Sequence, residues 1–185
     1  MLILSFNFST LNAQNYNFRK SSWGDTKEQV KLNEKSELIQ DANGLLIYNS
    51  VLEKLPCKIY FFFSPDNKLL QSKYVFTTNY SDLNMFIQDF KKFKSLLNEK
   101  YGNPTIDEEQ WNVQHYTANE NVWGESLLKG DLSFETNWIN SKTGVKLEMS
   151  LDQKDKRIYL EINYTSQQYQ KAYEQRKKNQ LLDNL

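Results

Sequence analysis

Nucleophilic catalysis would have to rest on very few side chains in this sequence. His115 is the only histidine and Cys57 the only cysteine among the 185 residues. A serine or cysteine nucleophile needs a neighbouring base that titrates near neutral pH, and no serine stands in a Gly-x-Ser-x-Gly turn. Cys57 follows Pro56 at the start of an apolar run, which favours a small buried side chain over a reactive thiol. We therefore expect neither residue to be catalytic.

Metal and nucleic-acid binding have little support. One histidine and one cysteine cannot build a His-rich or multi-cysteine metal site. Asp107, Glu108 and Glu109 form an acidic run, but no loop of alternating Asp or Asn ligands with a central glycine surrounds them. The 23 basic and 23 acidic residues leave no net charge, so the attraction that draws a protein to nucleic acid is missing. We predict no metal, no cofactor and no nucleic-acid partner.

Polar side chains alternate with apolar ones along the segments 132–138, 145–151 and 158–164. Because side-chain direction in a strand has a period of two, the polar members should share one face of an antiparallel meander. They are Glu135, Asn137, Lys146, Glu148, Tyr159, Glu161 and Asn163. A face that mixes carboxylates, amides and an aromatic ring suits recognition of a protein or a glycan. An ordinary hydrated sheet face can have the same composition, so this alternative stays open.

Trp111 and Trp123 are the other candidate binding residues. They lie in a stretch, 105–130, whose pattern fits neither a helix nor a strand throughout. Trp111, Val113 and His115 could alternate on a strand, whereas 119–124 resembles a loop. Tryptophans in such a stretch either cover the core or remain exposed as anchors for a ligand. The sequence leaves both interpretations open.

Two helices are predicted to support these strands. Over 80–101 apolar residues recur at steps of three or four, which predicts a helix with one buried face. The stripe consists of Leu83, Phe86, Phe90, Phe93, Leu97 and Tyr101, widened by Met85 and Leu96. Gly102 and Pro104 then end the helix. A shorter helix is predicted over 25–34, where Thr26 and Gln29 have the spacing of a capping box.

The order of the elements predicts the fold class. Further strands are predicted over 45–52, 57–63 and 69–77, and the C-terminal meander follows the long helix. We expect a single α+β domain over 14–166, in which a largely antiparallel sheet is packed by the long central helix. A helix followed by strands occurs twice, which suggests duplicated αβββ units. A polar tail with helical propensity covers 167–185.

The N-terminus has the pattern of a targeting signal. An apolar run over 2–8 precedes small and polar residues, which predicts a secretory signal peptide over 1–13 with cleavage after Ala13. An apolar N-terminal strand is the alternative, because no basic residue precedes the run. No cysteine lies near the cleavage site for lipid attachment, and no run reaches the roughly 18 apolar residues of a membrane-spanning helix. We expect a periplasmic or extracellular protein without a transmembrane segment.

Two short stretches resemble known families. They are Trp23-Gly24-Asp25-Thr26-Lys27-Glu28-Gln29-Val30 and the helix end Lys100-Tyr101-Gly102-Asn103-Pro104. Both are similar to the helix starts and helix ends of small envelope proteins of the BamE/SmpA and β-lactamase-inhibitory-protein type. The resemblance implies a non-enzymatic domain of the cell envelope or a secreted one. It does not carry over lipid anchoring, because the lipid-acceptor cysteine is missing.

Taken together, the residues favour a secreted or periplasmic, non-enzymatic binding or scaffolding domain with a protein or glycan partner. The proposed binding residues are Trp111, Trp123, Glu135, Glu148, Tyr159 and Glu161. The alternative is a hydrolase-type enzyme that uses the carboxylates of Glu135, Glu148 and Glu161. Such chemistry demands a defined separation between two carboxyl groups, which the sequence does not specify.

Overall fold

The computed structural model describes residues 16–183. The predicted signal peptide, 1–13, lies outside the described residues. Among the residues described, a 3-10 turn, Glu120–Val122, precedes the third of four helices. In chain order the elements are α1 Lys27–Asn33, β1 Glu37–Ala42, β2 Leu45–Leu52, β3 Leu55–Phe63, β4 Leu69–Phe76, α2 Asn84–Tyr101, β5 Ile106–Trp111, α3 Trp123–Lys129, β6 Leu132–Ile139, β7 Thr143–Asp152, β8 Arg157–Ser166 and α4 Gln167–Asp183.

The eight strands form one sheet in the order β1-β2-β3-β4-β8-β7-β6-β5, and every neighbouring pair is antiparallel. This confirms the predicted α+β class. Strands β1–β4 and β5–β8 form two halves that meet at the β4–β8 pair, and each half begins with a helix. Each half therefore has four strands rather than the three expected, with α3 inserted between β5 and β6 in the second half. The duplication of the two halves stays a prediction.

The sequence-based prediction missed β1 and β5, which are the two edge strands of the sheet. All residues of β1 are exposed or half-buried, and so are all residues of β5. An edge strand exposed on both faces needs no alternation of apolar and polar residues, so the pattern that revealed the other strands is missing. The prediction for 105–130 also missed α3, which has only seven residues.

Helix α1 begins as the sequence predicts. The Thr26 N–H donates to Gln29 Oε1 at 2.8 Å, and the Gln29 N–H donates back to Thr26 Oγ1 at 3.4 Å, which completes the capping box. Val30 is fully buried in the core. Val30 is therefore the buried side chain through which α1 joins the hydrophobic cluster.

Helix α2 is the long helix, although it begins at Asn84 and not at residue 80. Asp82 Oδ1 accepts a hydrogen bond from the Asn84 N–H at 3.0 Å, so the preceding residues form a turn instead of a helical start. Its buried residues are Phe86, Ile87, Phe90, Phe93 and Leu97. Ile87 completes the apolar stripe, whereas Leu96 remains 40% exposed. The helix ends at Gly102, whose positive φ of 82° suits glycine.

The core lies on one face of the sheet, between the strands and the helices. The buried strand residues that contact α1, α2 and α3 belong to one cluster, and they alternate along β2–β4 and β6–β8. Trp138 connects the sheet to the end of α2, because its Nε1 donates to Asn98 Oδ1 and to the Gly102 carbonyl, both at 3.1 Å. The alternate side chains of the same strands point to the opposite face, which we call the open face.

Candidate binding face

Four glutamates lie side by side on the open face. In the strand register, Glu108 pairs with Glu135, Glu135 with Glu148, and Glu148 with Glu161. We call these four residues the carboxylate row. Side chains of directly opposed antiparallel residues lie about 5 Å apart at Cβ, where like charges destabilise the sheet. The row can persist only if neighbouring groups offset this repulsion.

A network of donors compensates the inner pair of the row. Asn163 Nδ2 donates to Glu148 Oε1 at 3.0 Å and to Glu161 Oε1 at 2.8 Å, so a single amide joins both carboxyl groups. Lys73 Nζ binds Glu161 Oε2 at 2.8 Å, and Lys146 Nζ binds Glu148 Oε2. The side chains of Glu148 and Glu161 are 17% and 13% exposed. The pair is therefore largely withdrawn from water.

The outer pair of the row has weaker partners. Glu135 Oε1 accepts from Asn137 Nδ2 at 2.7 Å, and Glu108 Oε2 accepts from Gln110 Nε2 at 3.1 Å. Both donors are neutral amides on the same strand as their acceptor. Negative charge is therefore least compensated toward the β5 edge of the face.

The two glutamates of the inner pair differ in the direction in which their pKa values are shifted. Burial raises the pKa of Glu148 and a hydrogen bond with Glu161 raises it further, although Lys146 acts in the opposite direction. Burial also raises the pKa of Glu161, but hydrogen bonds from Glu148, Lys73 and Asn163 outweigh it and hold that pKa below its usual value. Glu148 is therefore the member that retains a proton longer as the pH rises.

Beside the carboxylate row lies a shallow depression of about 410 Å³. Its lining includes three aromatic rings, Tyr60, Phe62 and Tyr159. The rings of Tyr60 and Phe62 are nearly parallel, with centroids 6.1 Å apart and an interplanar angle of 11°. Burial, followed by the charges of Glu148 and Glu161, raises the pKa of Tyr159 to about 12, so its hydroxyl stays protonated at neutral pH.

The structure brings four of the six predicted binding residues together. Glu135, Glu148, Tyr159 and Glu161 share the open face. Trp111 and Trp123 lie apart from them, with ring centroids 5.7 Å from each other. Trp111 is half-buried, and its register partner is the core residue Leu132 on the opposite face. The structure thus separates the two groups that the sequence proposed.

Of the two alternatives that the sequence left open for Trp123, the structure fits the one in which it covers the core. It is 6% exposed and lies in the hydrophobic cluster, and its Nε1 donates to the Thr117 carbonyl at 3.0 Å. Lys91 Nζ lies 5.6 Å from its ring centroid. Gly124 lets α3 approach the start of α2, because an added Cβ would lie 2.6 Å from the Leu83 carbonyl carbon. Trp123 therefore offers little surface to a ligand in this arrangement.

The remaining reactive side chains are scattered. Cys57 is buried, and that burial raises the pKa of its thiol to about 11. His115 is exposed, with Nδ1 2.7 Å from Asp131 Oδ1. Asp107 and Glu108 of the acidic run point to opposite faces of β5, because they pair with Thr136 and Glu135 respectively. Among residues 16–183, no three His, Cys, Asp or Glu side chains converge closely enough to hold a metal ion.

Tyr60, Phe62 and Lys73 were not among the predicted site residues. The segment 57–63 is apolar at nearly every position, which predicts a central strand but does not mark either face as functional. Their relevance depends on the pairing of β4 with β8, which places Lys73 opposite Asn163. The alternation of side-chain direction along 57–63 places Tyr60 and Phe62 on the same face. It does not show which side chains of other strands lie beside them.

Comparisons of the chain with protein-family models, with characterised proteins and with solved structures found no match. The resemblance to BamE/SmpA-like and β-lactamase-inhibitory-protein-like domains therefore stays a prediction. Within the described part of the chain, none of the helices is both long and apolar enough to cross a membrane.

Proposed function

We propose that the protein is a secreted or periplasmic, non-enzymatic binding or scaffolding domain that contacts its partner through the open face. The observation that carries this proposal is the contrast between the two faces of the sheet. The helix side is closed by one hydrophobic cluster. Within residues 16–183, the open face presents half-buried polar and aromatic side chains across β3, β4, β7 and β8, among them Tyr60, Lys73 and Glu148, which lie outside that cluster.

The chemistry of this face favours binding over catalysis. Both inner glutamates are already bonded to Asn163 and to a lysine, so their charges are compensated without a substrate. The depression beside them is shallow, whereas enzyme sites usually bury most of their ligand. Rigid strands hold the polar groups in a fixed arrangement, which limits the entropy lost when a partner binds.

Site-specific crosslinking tests the proposal. We would place p-benzoylphenylalanine at Tyr60 on the open face and, as a matched control, at Leu96 on the exposed side of α2. After irradiation in the producing organism, the Tyr60 position should yield an adduct that the Leu96 position does not. The Glu148→Ala, Tyr159→Ala double variant should reduce that adduct at least several-fold. Equal adducts from both positions, or neither a polypeptide nor a glycan adduct from Tyr60, would contradict the proposal.

The proposed compartment has its own test. N-terminal sequencing of the exported protein, combined with cell fractionation, should find a mature chain that begins at Gln14. A full-length chain retained in the cytoplasmic fraction would reject export by a cleaved signal peptide.

A hydrolase that uses the sheet-face carboxylates is the second candidate function. It is favoured by the opposite pKa directions of Glu148 and Glu161, because a neighbouring acid and base in different protonation states is the pattern of general acid–base catalysis. Assays with chromogenic esters, glycosides and peptides would reveal such activity. If it exists, Glu148→Gln and Glu161→Gln should each abolish it, whereas Glu120→Gln, which changes an exposed residue, should not.

A further inference from the structure

We infer that the depression on the open face binds a neutral saccharide, with sugar rings packed against Tyr60 and Phe62 and hydroxyl groups bonded to the charged rim. The inference rests on the proposed function and names its ligand class. Three properties of the depression support it: its rings, its charge balance and its mixture of donors and acceptors.

The aromatic side chains supply an apolar surface for a flat ligand. Tyr60 and Phe62 occupy alternate positions of β3, and both are half-buried, so each ring keeps part of its surface open to solvent. Tyr159 adds a third ring from β8. A pyranose ring presents C–H groups on its faces and hydroxyl groups around its edge. Such a ligand can gain apolar contact with the aromatic side chains while its hydroxyl groups remain at the polar rim.

The charge of the lining favours a neutral ligand. Lys73 and Arg157 contribute two cationic groups, and Asp152 and Glu161 contribute two anionic ones, so the sum at the depression is zero. The Lys73 and Glu161 charges neutralise each other directly across a 2.8 Å ion pair. A strongly basic or acidic polypeptide would find no excess of opposite charge here. A neutral polyhydroxylated molecule needs no excess of charge at its binding site.

The same four side chains provide both kinds of hydrogen-bonding group. Carboxylates accept hydrogen bonds, whereas ammonium and guanidinium groups donate them. A sugar hydroxyl does both at once, so neighbouring acceptors and donors suit it. The Lys73 ammonium also lies 5.6 Å from the Tyr60 ring centroid, and this cation–π contact links the aromatic surface to the polar rim.

Binding can be tested with neutral hexasaccharides. Cellohexaose, maltohexaose, mannohexaose and laminarihexaose would be titrated against the protein by NMR, with hexagalacturonic acid and chitosan hexamer as charged counterparts. We expect at least one neutral probe to bind with a Kd of about 1 mM, a weak value that suits a shallow site. Its Kd should change less than about twofold between about 0.05 M and about 0.5 M NaCl, because screening acts on charged ligands.

Variants locate the site. Tyr60→Ala should weaken binding about tenfold, while Tyr60→Phe, which keeps the ring, should bind nearly as well as the wild type. Tyr116→Ala removes an exposed ring elsewhere and should have no effect. Thermal unfolding followed by circular dichroism would verify that each variant is folded, and Phe62→Ala would replace Tyr60→Ala if that variant were not.

The inference is overturned if no neutral probe binds, if only the charged probes bind, or if Tyr60→Ala and Tyr116→Ala behave alike. The crosslinking experiment separates this failure from failure of the proposed function. A polypeptide adduct at the Tyr60 position without saccharide binding would refute the saccharide and keep the binding domain. The absence of both an adduct and saccharide binding would refute both.

Discussion

Glu148 and Glu161 place two carboxyl groups directly opposite each other on neighbouring strands, and Asn163 donates to both. Because the Glu148 pKa is raised, the stabilisation from Glu148 is fully present below the ordinary carboxyl pKa and is lost as the pH rises through the raised value. The lowered pKa of Glu161 acts in the opposite sense, with stabilisation lost as the pH falls. The pair therefore makes a smaller net contribution to the pH dependence than either residue alone.

Glu148→Gln should remove the repulsion without changing the size of the side chain. At pH 7 we expect the variant to be up to about 1 kcal/mol more stable than the wild type, because an ionised side chain is then no longer buried there beside Glu161. At about pH 4 the difference should shrink, since the wild-type carboxyl is then protonated. Urea unfolding at both pH values measures this. A larger advantage at the lower pH would contradict the assignment.

The Arg19–Glu34 ion pair predicts a different pH response. Arg19 Nε lies 2.6 Å from Glu34 Oε2, and the Glu34 side chain is 3% exposed. Burial raises the pKa of Glu34, but hydrogen bonds from the Ser36 N–H and from Arg19 outweigh it and leave that pKa lowered. Stability from Glu34 is therefore present above its ordinary pKa of 4.5 and lost as the pH falls through the lowered value.

Glu34→Gln should consequently cost roughly 1.5–3 kcal/mol at pH 7, because the partly exposed Arg19 guanidinium and the Ser36 N–H lose a charged acceptor at a buried position. The loss should be smaller in acid, where the wild type also loses the charge. Glu120→Gln is the matched control, since Glu120 is 60% exposed in its pair with Lys91 and should change stability by less than about 1 kcal/mol. Urea midpoints at pH 7 and at about pH 3 provide the comparison.

At the scale of elements, α2 is the main support of the sheet. Phe93 is 2% exposed, and its ring centroid lies 4.5 Å from that of Phe76 on β4. Phe93→Ala should destabilise the protein by roughly 3–5 kcal/mol, enough to unfold much of a marginally stable population. Leu96→Ala on the exposed side of the same helix should cost much less. A Phe93→Ala variant with wild-type far-UV signal and melting temperature would refute the role assigned to this helix face.

The start and the end of the described chain meet where α4 contacts the segment before α1. Gly24 has φ of +87°, and an added Cβ would lie 2.4 Å from the Tyr169 hydroxyl oxygen. Gly24→Ala should therefore cost more than the about 1 kcal/mol of a left-handed backbone alone, and it should loosen α4.

Gly102→Ala is the matched control for this prediction. Its φ is +82°, but nothing lies within 4 Å of an added Cβ. Gly102→Ala should therefore lower the free energy of unfolding through the positive φ alone, without a steric clash. Hydrogen exchange of α4 amides, compared between the two variants, measures the difference, and equal exchange in both would contradict the contact.

At the scale of the whole molecule, the two halves share one hydrophobic cluster. Tyr74 on β4 and Tyr164 on β8 both contact Phe18, with ring centroids 5.0 Å and 4.9 Å away. Neither half can complete this cluster alone. We expect urea unfolding to be a single transition in which tryptophan fluorescence and far-UV circular dichroism have the same midpoint. Separate midpoints would show that the halves unfold independently.

The elements that could be predicted from the sequence are those whose pattern is local. The capping box at Thr26, the apolar stripe ending at Leu97, and the alternation of β6, β7 and β8 all depend on residues a few positions apart, so their spacing was sufficient. The same alternation predicted that Glu135, Glu148, Tyr159 and Glu161 share a face. The exposed edge strands and the short α3 carry no comparable periodic signal, and they were missed.

The faces that become neighbours, in contrast, depend on how distant segments of the chain pair in the folded protein. Lys73 and Glu161 are 88 positions apart, and their contact depends on β4 pairing with β8 instead of with β5. That pairing brings Tyr60 and Phe62 beside Tyr159. The registers of β5 to β8 align the carboxylate row, and they place Trp111 on the core side of the sheet, near Trp123. Strand order and register arise from the packing of the whole core. A pattern within one segment contains no information about them.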